Sequence, residues 1–148
     1  MIYPNQAIPY IPTSPFTPTP TLVGGAGNTV PVYSTNLGAY ERIGGECFVI
    51  VYLTGDGGAE GAGTGVLNIA LPFTSNAQSP AGIFPVGTIS NGTEEQALYG
   101  VINGAVSTIS LKMQSDTAGA LTSDIIDVTG ADQNNATRSI MMKFNYKI

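Results

Sequence analysis

The side chains best able to do chemistry in this sequence are ten carboxylates and one thiol, because there is no histidine. Without histidine a serine has no ready base, and the commonest metal ligand is missing. The acids do not pair usefully. Glu94 and Glu95 are adjacent in a polar turn, Asp124 and Asp127 flank Ile125-Ile126, and Asp56 and Glu60 sit in GDGGAEGAGTG. Sugar hydrolysis needs two opposed carboxylates at a fixed separation, one of them desolvated. Adjacent acids and a glycine loop supply neither, and there is no tryptophan to form a sugar platform. DGGAE lacks the dense Asp/Asn ligand spacing of a calcium loop. No glycine-rich stretch opens a helix, so no phosphate cradle is expected. Cys47 lies in the most apolar segment, where a thiol is an inert core group rather than a nucleophile. The sequence therefore reads as a non-enzyme with no catalytic residue, no metal site and no cofactor. Asn91-Gly92-Thr93 and Asn135-Ala136-Thr137 fit the glycosylation sequon, but with no secretion signal in view both read as chance.

Composition narrows the class further. The 148 residues carry 10 acidic and 5 basic side chains, a net charge of −5, which disfavours nucleic acid as a partner. The longest apolar run, Cys47 to Leu53, is too short to cross a bilayer, so no membrane association is expected. One cysteine rules out an intrachain disulfide. Charged residues make up only 10% of the chain, with 19 glycines and many Thr, Ser and Asn. A surface so poor in charge suits contact with other protein subunits.

The opening, MIYPNQAIPYIPTSPFTPTP, holds six prolines, and Glu41 is the first residue charged at neutral pH. Proline at this density forbids a helix and a central strand, leaving an extended form that would span ~60 Å over twenty residues at the polyproline rise. A solvated spacer does not need large apolar groups. Ile2, Tyr3, Ile8, Tyr10, Ile11 and Phe16 therefore read as anchors for grooves on a partner, with proline lowering the entropy lost on docking. The expected organisation is an arm at 1–23 and a β-domain at 24–148, which opens on a glycine-rich hinge at 24–29.

From the hinge onward the pattern is β. Leu67, Ile69, Leu71 and Phe73 share a face, as do Ile109, Leu111 and Met113, and Ile140, Met142, Phe144, Tyr146 and Ile148. Period two with one polar face marks a sheet that is core on one side and wet on the other. CFVIVYLT, Cys47 to Thr54, is apolar on both parities and is expected to be buried on both faces. Shorter strands are expected at Val30–Ser34, Ala39–Ile43, Phe84–Ser90, Tyr99–Ile102 and Ile125–Val128, with a mobile loop at Gly55–Gly65 and at most one helical turn at Glu94–Leu98. The fold class is all-β: a β-sandwich, jelly-roll-like, of about eight strands.

One stretch is more distinctive, YSTNLGAYERIGGECFVIVYLTGDGGAEGAGTGVLNIALPFTS, from Tyr33 to Ser75. Tyr33, Gly38, Tyr40 and Ile43-Gly44 precede a long apolar strand, a glycine-rich loop and an alternating strand that ends in Leu71-Pro72-Phe73. This pattern resembles a domain of tailed-bacteriophage virion proteins, found in head fibres, capsid decoration proteins and tail-fibre tips. Physically, Gly38 and Gly44 would permit tight turns, Tyr33 and Tyr40 would cap the sandwich with hydroxyls at its rim, and Pro72 would end its strand.

The resemblance implies a trimeric jelly roll in the virion. The chain opens on a short arm with no shaft, heptads or long repeat, which fits a fibre tip poorly. The expectation is a capsid decoration (cement) protein on the capsid surface, a homotrimeric knob whose arm grips the major capsid protein. The alternative is a receptor-binding or fibre-attachment module of the tail recognising a host surface glycan. The loops at Gly55–Gly65, Gln114–Asp124 and Ala131–Thr137 carry no aromatic residue for that task.

Overall fold

The computed structural model describes residues 12–77, 82–114 and 124–148. It is all-β, with ten strands: β1 (Ser14–Phe16), β2 (Pro20–Val23), β3 (Thr35–Ile43), β4 (Glu46–Thr54), β5 (Val66–Ala70), β6 (Ile83–Ser90), β7 (Glu95–Val101), β8 (Thr108–Gln114), β9 (Ile125–Asp127) and β10 (Ser139–Lys147). Every pairing among them is antiparallel. Together they form one hydrogen-bonded sheet in the order β1-β3-β4-β10-β6-β7-β8-β5-β2, with β9 beside β8.

Chain connectivity forces this sheet to curl. Its two outermost strands, β1 and β2, are separated by only Thr17, Pro18 and Thr19. That link spans at most about 15 Å. Nine strands laid flat would put the edges roughly 38 Å apart. The sheet therefore rolls until its edges nearly meet, with the core inside the roll. Cys47, Val49, Val51 and Leu53 of β4 point inward, as do Ile140, Met142 and Tyr146 of β10. Leu67 and Ile69 of β5, Leu98 of β7, and Ile109 and Leu111 of β8 complete the interior.

The stretch expected to be a free arm enters the sheet from Ser14 on. Pro15 lies opposite Ala39 of β3, and Pro20 lies opposite Ile69 of β5. Both strands are edges, the place where a missing N–H is tolerated. The linker also stitches the seam. The Asn36 side-chain amide donates to the Pro18 carbonyl at 2.9 Å, and the Ala70 amide donates to the Thr19 carbonyl at 3.0 Å. Phe16 packs edge-to-face on Tyr40, which packs on Phe73. Residues 14–23 thus lace the two sides of the roll together.

Several local expectations need correction. Gly38 makes no turn; it lies within β3, where a Cβ would come 2.6 Å from the Phe16 ring. Gly44 does serve a turn, the two-residue link from β3 to β4. Val30–Ser34 is a connector, not a strand, and Glu94–Leu98 contributes to β7 instead of turning helically. One 3-10 turn, Gly130–Gln133, was not foreseen. The Gly55–Gly65 loop is sewn down: the Val32 amide donates to Ala59, Gly61 to Gln133, Ala131 to Gly63 and Gly130 to Gly65. Its glycines permit this close approach, since a Cβ on Gly61 would lie 2.2 Å from the Gly130 carbonyl oxygen.

The last correction concerns β4. Its Cys47 parity is buried, but Phe48 and Ile50 are only half-buried and Tyr52 is exposed. Strands β3 and β10 flank β4 on both sides. Among the described residues, no second layer covers its outer face.

Candidate functional site

The acids stay apart from any catalytic arrangement. Glu60, Glu94, Glu95 and Asp124 are exposed. Asp127 pairs with Lys112 across β8 and β9, and Asp56 accepts the Gly58 amide at 2.9 Å. Among the described residues no three His, Cys, Asp or Glu side chains converge to hold a metal ion. Cys47 is fully buried in β4, and that burial pushes its thiol pKa up. Both sequon asparagines make local turns. Asn91 Oδ1 accepts the Thr93 amide at 3.0 Å, and Asn135 Oδ1 accepts the Thr137 amide at 3.0 Å.

Two polar clusters organise the loops at either end of the roll. The first centres on Arg138, which is 0% exposed and sits just before β10. Its guanidinium donates to the carbonyls of Val32, Ala59 (2.9 Å) and Asn135 (2.8 Å) and lies 5.4 Å from the Tyr33 ring centroid. The Asp56 carboxylate stands 3.8 Å away. Tyr33 donates to Gln133 Oε1 at 3.0 Å, and Gln133 donates on to the Ser90 carbonyl at 3.1 Å. The Tyr33 hydroxyl is therefore inside the fold and not at a rim as expected. Arg138 and Gln133 went unseen in the sequence because their partners at Val32, Ala59 and Ser90 lie 43 to 106 residues away. With Arg138 and Gln133 both 0% exposed, this cluster is a structural hub.

The second cluster clamps Leu71-Pro72-Phe73. The Tyr146 hydroxyl donates to the Phe73 carbonyl at 2.9 Å and accepts the Phe73 amide at 3.1 Å. Burial raises the pKa of both Tyr33 and Tyr146 well above the ordinary tyrosine range. The folded chain therefore holds these protons more tightly than the unfolded chain does. Their contribution to stability is complete below about pH 10, the unfolded value, and is lost as pH climbs toward the folded values. Thermal melts should begin to fall near pH 9, where the buried Cys47 thiol starts to lose its share, and fall further in stronger alkali as the two tyrosines lose theirs. Tyr146→Phe should start lower by about 1–3 kcal/mol, having orphaned two backbone groups, but fall less steeply. An unchanged alkaline slope would remove Tyr146 as a source of the effect.

Of the expected arm anchors, Ile2, Tyr3, Ile8, Tyr10 and Ile11 lie outside the described residues. Phe16 is already engaged, half-buried against Tyr40 and the core.

What the outer surface offers is an apolar face. Leu37 of β3 lies opposite Tyr52 of β4, and Tyr52 lies opposite Met141 of β10. Their exposures are 62%, 41% and 48%. Single exposed hydrophobics are ordinary, but a continuous row across three neighbouring strands is not. Beside it a groove of about 330 Å³ runs between β4, β10 and β6, lined by Ile50, Tyr52, Thr88, Met141 and Lys143. Apolar and aromatic side chains of this kind are enriched at the centres of protein–protein interfaces. Searches against family models, curated proteins and solved structures find no match to this chain.

Proposed function

We propose that the chain is a virion structural protein, a capsid decoration (cement) protein of a tailed phage. The curled sheet is its jelly-roll-like knob, and three copies act together. The residues ahead of β1, with Ile2, Tyr3, Ile8, Tyr10 and Ile11, form the docking arm that meets grooves of the major capsid protein. The reading assigns no catalytic role, no cofactor and no nucleic-acid contact.

The observation that supports it best is how the arm is rooted. An uncharged, proline-rich, apolar leader runs into a strap, Ser14–Val23, that pairs with both sides of the roll. Tension on the leader is thereby shared by β3 and β5 instead of peeling one edge. Reinforcement of a shell needs such a rooted tether, and several arms held on one knob raise the effective concentration of each.

The test uses capsids of a phage that encodes the chain, assembled without it. Full-length protein and a 12–148 variant are mixed with these capsids, pelleted and counted. Full-length protein should pellet at a copy number set by icosahedral symmetry, and the 12–148 variant should stay in solution. Equal pelleting of both would remove the arm from the mechanism. Failure of both would take the knob off the capsid, with host glycans the next binding partner to assay.

A further inference from the structure

We propose that a groove on the outer face of the roll, where β2, β5, β7, β8 and β9 come together, is a saccharide site that seats one neutral pyranose ring.

The groove exists because one edge of β8 has two partners in succession. The other edge is taken by β7, from Leu98 to Val101. On this edge Ser110 lies opposite Asn68 of β5, and two residues further along Lys112 lies opposite Asp127 of β9. The changeover falls at Val128, whose amide donates to the Leu111 carbonyl at 3.0 Å and whose carbonyl accepts the Leu67 amide at 2.7 Å. Leu67, Ile69, Ile109 and Leu111 are buried in the core, so Asn68, Ser110 and Lys112, on the other parity, face outward. A groove of about 270 Å³ opens at this fork, with residues of all five strands in its walls.

Asn68 is the residue that points to a ligand. It lines the groove on the outer face, yet it is only 9% exposed, and its Oδ1 is buried with no hydrogen-bond partner. A buried polar atom in that state lowers stability, and a leucine of nearly the same shape avoids the cost. The fold makes no use of this amide. A ligand hydroxyl seated in the groove supplies the donor it lacks.

The neighbouring side chains select the class of ligand. Lys112 and Asp127 pair with each other, so their charges cancel and the groove holds no net charge for an ion. Both stay partly exposed, leaving the ammonium able to donate further and the carboxylate able to accept. Ser110 adds a hydroxyl that does both. Val23, Val66 and Val101 add an apolar wall, and Val23 is 55% exposed. A pyranose offers the matching pair of surfaces: a rim of hydroxyls that donate and accept, and an apolar C–H face. An alkyl ligand would strand the polar groups, and an anion would meet Asp127. The volume lies just below the roughly 300 Å³ at which drug-sized pockets begin, which suits one ring and not a peptide. The site lies on the sheet and relies on valines, so it needs none of the aromatic residues that the loops lack.

The test is an amide NMR titration of the full chain with the methyl glycosides of glucose, mannose, galactose and N-acetylglucosamine, and with inorganic phosphate. A single ring in an open groove should bind with a Kd on the order of 1–10 mM. At least one glycoside should give saturable shifts concentrated at Asn68, Ser110, Lys112 and Asp127. Asn68→Leu should weaken that binding at least about 10-fold while melting at or above the wild-type temperature. Lys112→Met and Asp127→Asn should each weaken it too, with circular dichroism establishing that all three variants fold. Maltose and lactose separate the two sources of such a ring: binding at least as tight as the methyl glycoside assigns the end of a glycan chain, and exclusion assigns a free sugar. No saturation by any of the four glycosides overturns the proposal, and so does tighter binding of phosphate than of every sugar. Wild-type affinity in Asn68→Leu removes the site. A melt of Asn68→Leu well below wild type gives Asn68 a structural task and overturns the argument from its missing partner. No capsid enters the assay, so its outcome is independent of the decoration reading.

Discussion

Replacing Arg138 with methionine is expected to lower stability by about 3–5 kcal/mol, the largest effect of any single substitution considered. The reason is what the guanidinium leaves behind. Carbonyls of Val32, Ala59 and Asn135 all accept from it in part-buried hydrogen bonds. Methionine fills part of the volume but donates nothing, and each part-buried acceptor left without its partner costs on the order of 1–2 kcal/mol. Two gains offset this in part. The guanidinium's own desolvation is relieved, and its Nε, which has no partner, disappears from the interior. Three carbonyls against one orphan nitrogen still leaves a clear loss. Lysine should not rescue, because a single ammonium cannot reproduce a planar fork that reaches carbonyls on three separate segments. The melting temperature should drop on the order of 10–20 °C. Lys112→Met is the control, since it breaks a partly exposed ion pair worth about 1 kcal/mol or less. If the Arg138→Met melt lies within 1 °C or so of wild type, the Val32, Gly55–Gly65 and Asn135 segments are held by something other than Arg138.

The contrast between Arg138 and the strands explains what the sequence could disclose. Residues Leu67–Ile69, Ile109–Leu111 and Ile140–Tyr146 were legible because a period of two is a local signal, and the core sits on the apolar parity in each. The apolar segment before Thr54 was legible as a strand but not for its surroundings. Its inner parity is buried in the core, whereas among the described residues its outer parity is half-buried at Phe48 and Ile50 and exposed at Tyr52. The strap was missed because proline was read as a sign of separation from the sheet. Edge strands tolerate it, and whether a strand is an edge is a property of the whole topology. The Gly55–Gly65 loop misled in the opposite sense. Its glycines looked like freedom, whereas Gly61 marks a close backbone approach. Of the Tyr33–Gln133–Arg138 hub the sequence disclosed only Tyr33, read as a cap at the rim, since Gln133 and Arg138 are unremarkable until distant segments converge. On the candidate site, sequence reasoning found an apolar leader, whereas the apolar row on the outer face required the register.

Cutting the chain at two nearby points should give opposite results. A 12–148 variant keeps every described contact, so its melt should match wild type to within a few degrees. A 24–148 variant loses β1 and β2 altogether. It gives up the burial of Phe16 and Leu22 against the core, together about 2–5 kcal/mol. It also exposes the unpaired edges of β3 and β5 and breaks the stitches at Pro18 and Thr19. A domain of this size has only about 5–15 kcal/mol in total, so this loss consumes much of it, and bare edges invite strand addition between molecules. The expected outcome is a broad, non-cooperative melt or aggregation, measured by circular dichroism and light scattering on both variants. The distinction bears directly on function. Loss of capsid attachment by the 24–148 chain would report unfolding, whereas loss by the folded 12–148 chain would report the arm. A 24–148 chain that melts cooperatively at the wild-type temperature would show that the curl does not depend on its strap. The closure would then be carried by the β4–β10–β6 pairings and the buried core.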